Sequence, residues 1–219
     1  MDLNQARFNM IEQQIRPWEV LDPQVLDLLS VVRREDFVPM AHKALAFVDM
    51  EIPLGAANNQ VMLAPRVQAR MLQDLAVKKT DKVLDIGTGS GFMAALLAHQ
   101  SSSVLSLEID ANLAAQAQAN LQKAGVTNAV VRTADGSQGA PADGPFDVIA
   151  LSGSVAEVPA ALLQQLAVGG RLVAIVGEEP MMRATLITRT SDNNWTTTEP
   201  WDCNAPRLSG FPEHSRFEF

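Results

Sequence analysis

The stretch VLDIGTGSGF, residues 83–92, decides the fold of this chain. An apolar run ends in an acid, and three glycines at every second position follow before an apolar helical pattern begins. Glycines at such a turn let the backbone change direction sharply and approach a ligand closely, because no Cβ stands in the way. The pattern is typical of a β-strand that leads through a ligand-binding loop into a helix.

After residue 80 the chain alternates regularly between strand and helix patterns. Apolar, β-branched runs occur at 82–87, 103–109, 128–133, 146–153 and 169–177. Helical stretches lie between them, as at 91–100 and 111–125. Strands separated by helices form right-handed crossovers, and they predict an α/β fold with a mainly parallel sheet that helices cover on both faces.

The two ends of the chain have different patterns. Residues 184–202 contain two strand-like runs joined by the turn sequence SDNN, which predicts an antiparallel hairpin that completes a seven-stranded sheet.

At the N-terminal end of the chain, residues 4–15 show helical spacing, and Pro17 ends that helix. Asp22 and Pro23 begin a second helix as its N-cap and first residue. We therefore predict an N-terminal helical cap at 1–80 and a sheet core at 81–219, within one structural unit.

Composition and charge narrow the class of protein. The 219 residues carry a net charge of −8, which repels phosphate backbones and argues against nucleic acid as a partner. The single cysteine, Cys203, excludes an internal disulfide and suits a reducing compartment. The sequence shows no secretory signal and no apolar run long enough to span a bilayer, so we expect a cytoplasmic protein without a membrane partner. His42, His99 and His214 have no ligand-spaced neighbours, and no metal is expected.

The glycine loop and two further acids favour one cofactor. Ligands of an open parallel sheet bind beyond the carboxyl ends of its strands. The spacing here is G-x-G-x-G with Asp85 two residues before the first glycine, unlike the G-x-G-x-x-G of dinucleotide sites. An acid beside the loop disfavours a pyrophosphate and favours a cationic ligand such as S-adenosylmethionine. Glu108 and Asp135, at the ends of the next two strands, are placed to accept hydrogen bonds from ribose hydroxyls and from the adenine amino group.

The whole chain resembles the protein-L-isoaspartate O-methyltransferases. The segments that carry the resemblance are DPQVLDLLSVVRREDFVP, DMEIPLG, KVLDIGTGSGFMAALLA, LEID, ADG and FDVIALSGSVAEVPAALLQQLAVGGRLVAIVG. The resemblance implies a class I methyltransferase fold, Rossmann-like with a helical cap. It also implies S-adenosylmethionine as cofactor, S-adenosylhomocysteine as product, and methylation of isoaspartyl α-carboxylates in damaged protein. The predicted cofactor-binding residues are Asp85, Gly87, Thr88, Gly89, Gly91, Glu108, Ile109, Asp135, Gly136 and Ser152.

The chain departs from the family pattern in NNQVMLAP, residues 58–65. Gln60 and Pro65 match the family, but Val61 stands where the family has threonine, Leu63 where it has serine, and Ala64 where it has glutamine. In the family that serine hydroxyl lies against the site of methyl transfer. The chain has therefore lost both hydroxyls of this segment.

The loss of a hydroxyl has a calculable effect on carboxyl methylation. A carboxylate, with a reference pKa near ~4, is already ionised at neutral pH and needs no general base. One hydrogen bond to a charged oxygen is worth about 1.5 to 3 kcal/mol, and Leu63 additionally desolvates the carboxylate. We therefore expect weak or absent isoaspartyl turnover unless Ser154, Asn58 or Asn59 supplies a donor. The predicted acceptor-site positions are Leu63, Ser154 and Asn59.

Three functional hypotheses remain open from the sequence. The first is an isoaspartyl methyltransferase with a rearranged site for a peptide or protein carboxylate. The second is a methyltransferase for a less polar acceptor or a small molecule, with Val61, Met62 and Leu63 lining an apolar pocket. The third is a protein that binds the cofactor without transferring its methyl group, or an interaction module. The length of the resemblance favours the first.

Overall fold

The computed structural model describes residues 2–55 and 60–213. Its α-helices are α1 (Leu3–Met10), α2 (Pro23–Val31), α3 (Pro65–Leu75), α4 (Phe92–Gln100), α5 (Ala111–Lys123) and α6 (Ala160–Gln164). Its strands are β1 (Ile52–Pro53), β2 (Val61–Met62), β3 (Lys82–Ile86), β4 (Ser103–Glu108), β5 (Ala129–Thr133), β6 (Phe146–Val155), β7 (Leu166–Glu178), β8 (Met181–Ser191) and β9 (Asn194–Asp202). A π-helical turn (Ile11–Ile15) and 3-10 turns at Arg16–Trp18, Arg34–Asp36, Met40–Leu45 and Gly136–Gln138 complete the helical elements.

The main sheet has seven strands in the order β5-β4-β3-β6-β7-β8-β9. Strands β3 to β7 pair in parallel, whereas β8 and β9 pair antiparallel and form the C-terminal hairpin. This arrangement confirms the predicted α/β fold and mainly parallel seven-stranded sheet. The strand order reverses at β3, since β4 lies on one side of it and β6 on the other. Such a reversal opens a crevice at the carboxyl ends of the strands.

Hydrophobic side chains cover both faces of the sheet. Successive residues of a strand point to opposite faces, so that Val83 packs with the N-terminal helices, α3 and α4. Leu84 packs instead with Leu162 of α6 and with Phe211 of the C-terminal segment. The first cluster runs from Met10 to the sheet without interruption. The proposed division of the chain at residue 80 stays a prediction.

The first helix differs from its predicted form. The α-helix ends at Met10 and continues as a π-helical turn, in which Ile11 and Ile15 are buried. Phe8, at the same helical spacing, is 59% exposed and lies outside the core. The helical path ends just after Pro17, where Glu19 adopts a φ of 61°.

A buried arginine joins the helical cap to the segment that follows β2. Arg34 is 1% exposed. Its Nη2 donates to the carbonyl of Leu63 (2.8 Å), its Nε to the carbonyl of Ala46 (3.1 Å) and its Nη1 to Oε1 of Gln68 (2.5 Å). The guanidinium also lies 5.1 Å from the centre of the Phe92 ring. Burial lowers the pKa of Arg34 to about 9.

We expect Arg34→Leu to destabilise the fold by about 2 to 5 kcal/mol, because two buried carbonyls and one amide lose their donor. Urea unfolding at pH 7 measures this loss. Arg16→Leu, in the same cap, is the control. Arg16 makes an exposed i,i+4 ion pair with Glu12, and its removal should change the unfolding free energy by less than about 1 kcal/mol. Equal losses in the two variants would contradict the structural role of Arg34.

Candidate functional site

A cavity of about 170 Å³ opens at the carboxyl ends of the central strands, at the reversal point of the sheet. Six of the ten predicted cofactor-binding residues line it, namely Gly87, Gly89, Glu108, Ile109, Gly136 and Ser152. Residues distant in sequence complete its walls: Leu54, Gln60 and Val61 from the cap, and Arg207, Leu208 and Phe211 from the C-terminal segment. The described lining therefore comes from three parts of the chain.

The glycine loop between β3 and α4 has the sharp turn that its sequence predicts. Gly87, Gly89 and Gly91 have φ values of 88°, 53° and 87°, in the left-handed region that other residues rarely adopt. A Cβ on Gly87 would also lie 2.7 Å from a methyl group of Leu208. Gly87 and Gly89 expose backbone to the cavity, whereas Gly91 turns the chain into α4.

Glu108 ties this loop to the end of β4. The backbone N–H of Gly89 donates to its Oε2 (2.8 Å), and the N–H of Asp110 donates to its Oε1 (3.1 Å). The carboxylate is nearly buried and lines the cavity. It offers acceptor atoms to a ligand while fixing the glycine loop.

Asp85 lies beneath the cavity rather than in its lining. Its carboxylate is fully buried and accepts hydrogen bonds from Oγ of Ser106 (2.6 Å) and Oγ of Ser152 (2.8 Å). Thr88 joins the same network through its hydroxyl, 2.6 Å from that of Ser106. Burial raises the pKa of Asp85 to about 6, although the two serine hydrogen bonds oppose the rise. Asp85 and Thr88 thus fix Ser152 and the loop from below.

The pKa of Asp85 gives the protein a specific dependence of stability on pH. The unfolded carboxyl titrates near 3.8 and the folded one near 6, a difference worth about 3 kcal/mol. Because the folded pKa is raised, this contribution to the stability of the wild type is fully present below about pH 4 and is lost as pH rises through about 6. Asp85→Asn cannot titrate and should lack this loss, so its unfolding free energy should rise by up to about 3 kcal/mol relative to that of the wild type between pH 4 and 7.

Chemical denaturation of both proteins across this pH range measures the difference. Contributions from carboxylates distant from Asp85 are the same in both proteins and cancel. A difference in unfolding free energy that stays constant with pH would show that the buried carboxyl does not titrate as described.

Asp135 and Gly136 follow β5 at the far end of the cavity. Gly136 lines it, and a Cβ there would lie 2.3 Å from Cγ2 of Ile86, so the position requires glycine. The side chain of Asp135 accepts from the N–H of Ser137 (2.9 Å) and lies against Gly210. Asp135 is therefore adjacent to the cavity but is not among its lining residues.

Of the predicted acceptor-site residues, the two that the structure describes, Leu63 and Ser154, are not among the residues that line the cavity. Leu63 is 4% exposed and belongs to the hydrophobic core. Ser154 is fully buried, and its backbone pairs with Pro206 and Leu208. Asn59 lies outside the described residues, as does Asn58. Their roles at the acceptor site stay predictions.

Two segments of the lining contain residues that the sequence did not predict as part of a binding site. Leu54 and Gln60 lie in the hairpin of β1 and β2, where the N–H of Leu54 donates to the carbonyl of Gln60 (2.8 Å). Gln60 Nε2 then donates to Oδ2 of Asp110 (3.0 Å), which connects the hairpin to the start of α5. The other segment, 206–211, pairs with the end of β6. Phe211 in an otherwise polar tail was the sequence signal for it, and its packing against the sheet is observed.

Two negative findings apply to residues 2–55 and 60–213. No group of three or more histidine, cysteine, aspartate or glutamate side chains could hold a metal ion there. No helix in these ranges combines the length and the apolar character needed to cross a bilayer.

The sheet order, the glycine loop after its first long strand and the acid at the end of the next define a class I methyltransferase fold. Residues 5–203 match the family model described as Protein-L-isoaspartate(D-aspartate) O-methyltransferase (PCMT). The chain belongs to this family, as the sequence resemblance predicted.

Individual relatives agree over nearly the full length. The chain is 43% identical over 210 residues to Protein-L-isoaspartate O-methyltransferase 2 of Marinobacter nauticus, with 95% of each chain covered. It is 38% identical over 206 residues to Protein-L-isoaspartate O-methyltransferase of Koribacter versatilis, covering 93% of this chain and 90% of that one. Among solved structures, a Plasmodium falciparum protein assigned to this enzyme and crystallised with S-adenosyl-L-homocysteine superposes with a TM-score of 0.76 at 19% identity, covering 94% of this chain and 99% of that one.

Proposed function

We propose that this chain is an S-adenosylmethionine-dependent O-methyltransferase that methylates isoaspartyl carboxylates in proteins or peptides. The observation that carries the proposal is the family match over residues 5–203, supported by relatives of this name at about 40% identity. Nearly the whole of each relative is matched, so cap and sheet core are shared together.

The residues that line the cavity suit the chemistry of the cofactor. Gly87 and Gly89 leave room beside the loop, Glu108 supplies carboxylate acceptors, and Gly136 keeps the far end open. We assign the glycines to the methionine portion, Glu108 to the ribose hydroxyls, and Asp135 with Gly136 to the adenine. When bound, S-adenosylmethionine supplies a methyl group on a positively charged sulfonium.

The residues of the chain act on the acceptor mainly by orientation. An acceptor carboxylate is ionised at neutral pH, so the site needs no general base. Holding such an oxygen in line with the transferred group can be worth about 7 to 11 kcal/mol in favourable cases. Leu54, Val61 and Leu208 make part of the cavity wall apolar and help to exclude water.

The alternative of a less polar acceptor is not favoured. It required an apolar pocket made by Val61, Met62 and Leu63. Only Val61 lines the cavity, because Met62 is 2% exposed and Leu63 is 4% exposed, both within the core. The family and the relatives favour isoaspartyl methylation over this alternative and over a cofactor-binding protein without activity. The presence of a single cysteine in the sequence supports a cytoplasmic location, which we also propose.

Glu108→Gln tests the assignment of the cofactor. Loss of the negative charge should raise the Kd for S-adenosylhomocysteine roughly 10- to 100-fold, because a hydrogen bond to a charged group is worth about 1.5 to 3 kcal/mol. Isothermal titration calorimetry measures the Kd. Asp143→Asn is the control, since Asp143 pairs with Arg132 outside the described cavity lining. A Kd unchanged by Glu108→Gln would refute the ribose assignment.

Release of S-adenosylhomocysteine tests the function itself. We expect turnover with a peptide that contains isoaspartate and none with the same peptide containing normal aspartate. Absence of turnover on the isoaspartyl peptide, with cofactor bound, would overturn the proposed function.

Leu63→Ser tests whether Leu63 belongs to the core or to the acceptor site. Because the Leu63 side chain lies in the core, serine there should lower the unfolding free energy by about 2 to 5 kcal/mol without raising turnover. A gain in turnover would instead restore Leu63 as an acceptor-site position.

A further inference from the structure

One cation stands out among the described residues that line the cavity. Arg207 shares the lining with Gly87 and Ser152, and the other described lining residues carry no positive charge. Its backbone position is fixed because segment 206–208 pairs with β6: the N–H of Ser154 donates to Pro206 O (2.8 Å), and the N–H of Leu208 donates to Ser154 O (2.9 Å). The backbone that carries Arg207 is therefore paired with β6, the strand that also contains Ser152.

Three contacts of Arg207 bear on its role: two with the sheet and one with an exposed carboxylate. Its Nη2 donates to the carbonyl of Gly177 (2.9 Å), and its Nη1 lies 3.5 Å from Oγ of the buried Ser154. Both partners belong to the sheet and orient the guanidinium. On its outer side, Nε pairs with Oε1 of Glu213 at 2.9 Å. The Glu213 side chain is 52% exposed and that of Arg207 is 24% exposed, so this ion pair is worth at most about 1 kcal/mol and can exchange.

We propose that Arg207 binds the carboxylate of the isoaspartyl acceptor, and this assignment rests on the proposed function. The acceptor carboxylate displaces that of Glu213. A guanidinium presents N–H donors in a planar fork that matches a carboxylate and holds it in one orientation. In the structure the Glu213 carboxylate already pairs with Nε of this guanidinium, and in the proposed complex the acceptor carboxylate takes its place. Arg207 thereby supplies the polar contact that Val61 and Leu63 cannot offer.

The ion pair gives two variants that distinguish binding from structural support. Arg207→Gln removes the anchor, whereas Glu213→Gln removes its competitor. If the ion pair is purely structural, either change breaks it, and both variants should weaken peptide binding. Acceptor binding predicts opposite effects on affinity for the acceptor.

The experiment is calorimetric titration of an isoaspartyl peptide into the full-length protein saturated with S-adenosylhomocysteine. We expect Arg207→Gln to weaken peptide binding roughly 10- to 100-fold and Glu213→Gln to strengthen it about two- to fivefold. The same peptide with an isoasparaginyl amide, which lacks the negative charge, should bind the wild type weakly and be indifferent to both changes. Affinity for S-adenosylhomocysteine alone should change less than about threefold in either variant.

Several outcomes would overturn the assignment. Weaker peptide binding in both variants would make the ion pair structural. Weaker binding of S-adenosylhomocysteine without peptide in Arg207→Gln would make the carboxylate of the cofactor its ligand instead. If Arg207→Gln does not fold, the sign of the Glu213→Gln effect decides alone.

The test separates this assignment from the proposed function. A wild type that methylates the isoaspartyl peptide, with peptide binding unchanged by Arg207→Gln, would remove the anchor and leave the function. A wild type that neither binds nor methylates the peptide would remove both.

Discussion

Three left-handed glycines between β3 and α4 are the constraint on which the site depends. Gly87, Gly89 and Gly91 all have positive φ, and side chains at these positions would strain the backbone. Their conformation lets β3 end at the sheet edge and α4 begin at once, so that backbone rather than side chains faces the cavity. Glu108 holds this turn by accepting the N–H of Gly89. The same carboxylate therefore shapes the loop and offers acceptors to a ligand.

Buried polar groups support this region at some expense of stability. Asp85 is fully buried, and its raised pKa expresses the desolvation of its charge. Its two serine hydrogen bonds offset part of that penalty and fix Ser152 at the cavity. Arg34 has a similar place in the cap, where it satisfies carbonyls from two separate segments. Asp85 thus lowers stability near neutral pH while it fixes the geometry of the cavity, whereas Arg34 stabilises the cap because its buried hydrogen bonds are satisfied.

Two kinds of segment line the cavity. The residues that we assign to the cofactor follow the ends of adjacent strands, whereas the β1–β2 hairpin and segment 206–211 supply other parts of the wall, which we propose face the acceptor. Gln60 and Asp110 join the hairpin to the sheet core. Loss of two family hydroxyls, one in β2 at Val61 and one just after it at Leu63, is compatible with isoaspartyl chemistry if the C-terminal segment provides the charge.

The sequence by itself determined the sheet, its hairpin and the family, and it indicated six of the residues that line the cavity. These depend on local signals: strand and helix periodicity, glycine spacing, and acids placed at strand ends. Only the tertiary structure decided which residues line the cavity. Leu63 and Ser154 were predicted from their alignment with family positions, yet both side chains are buried away from the described lining. Arg207 escaped notice because its place depends on a pairing with Ser154, 53 residues earlier, and no local pattern encodes a contact between such distant segments.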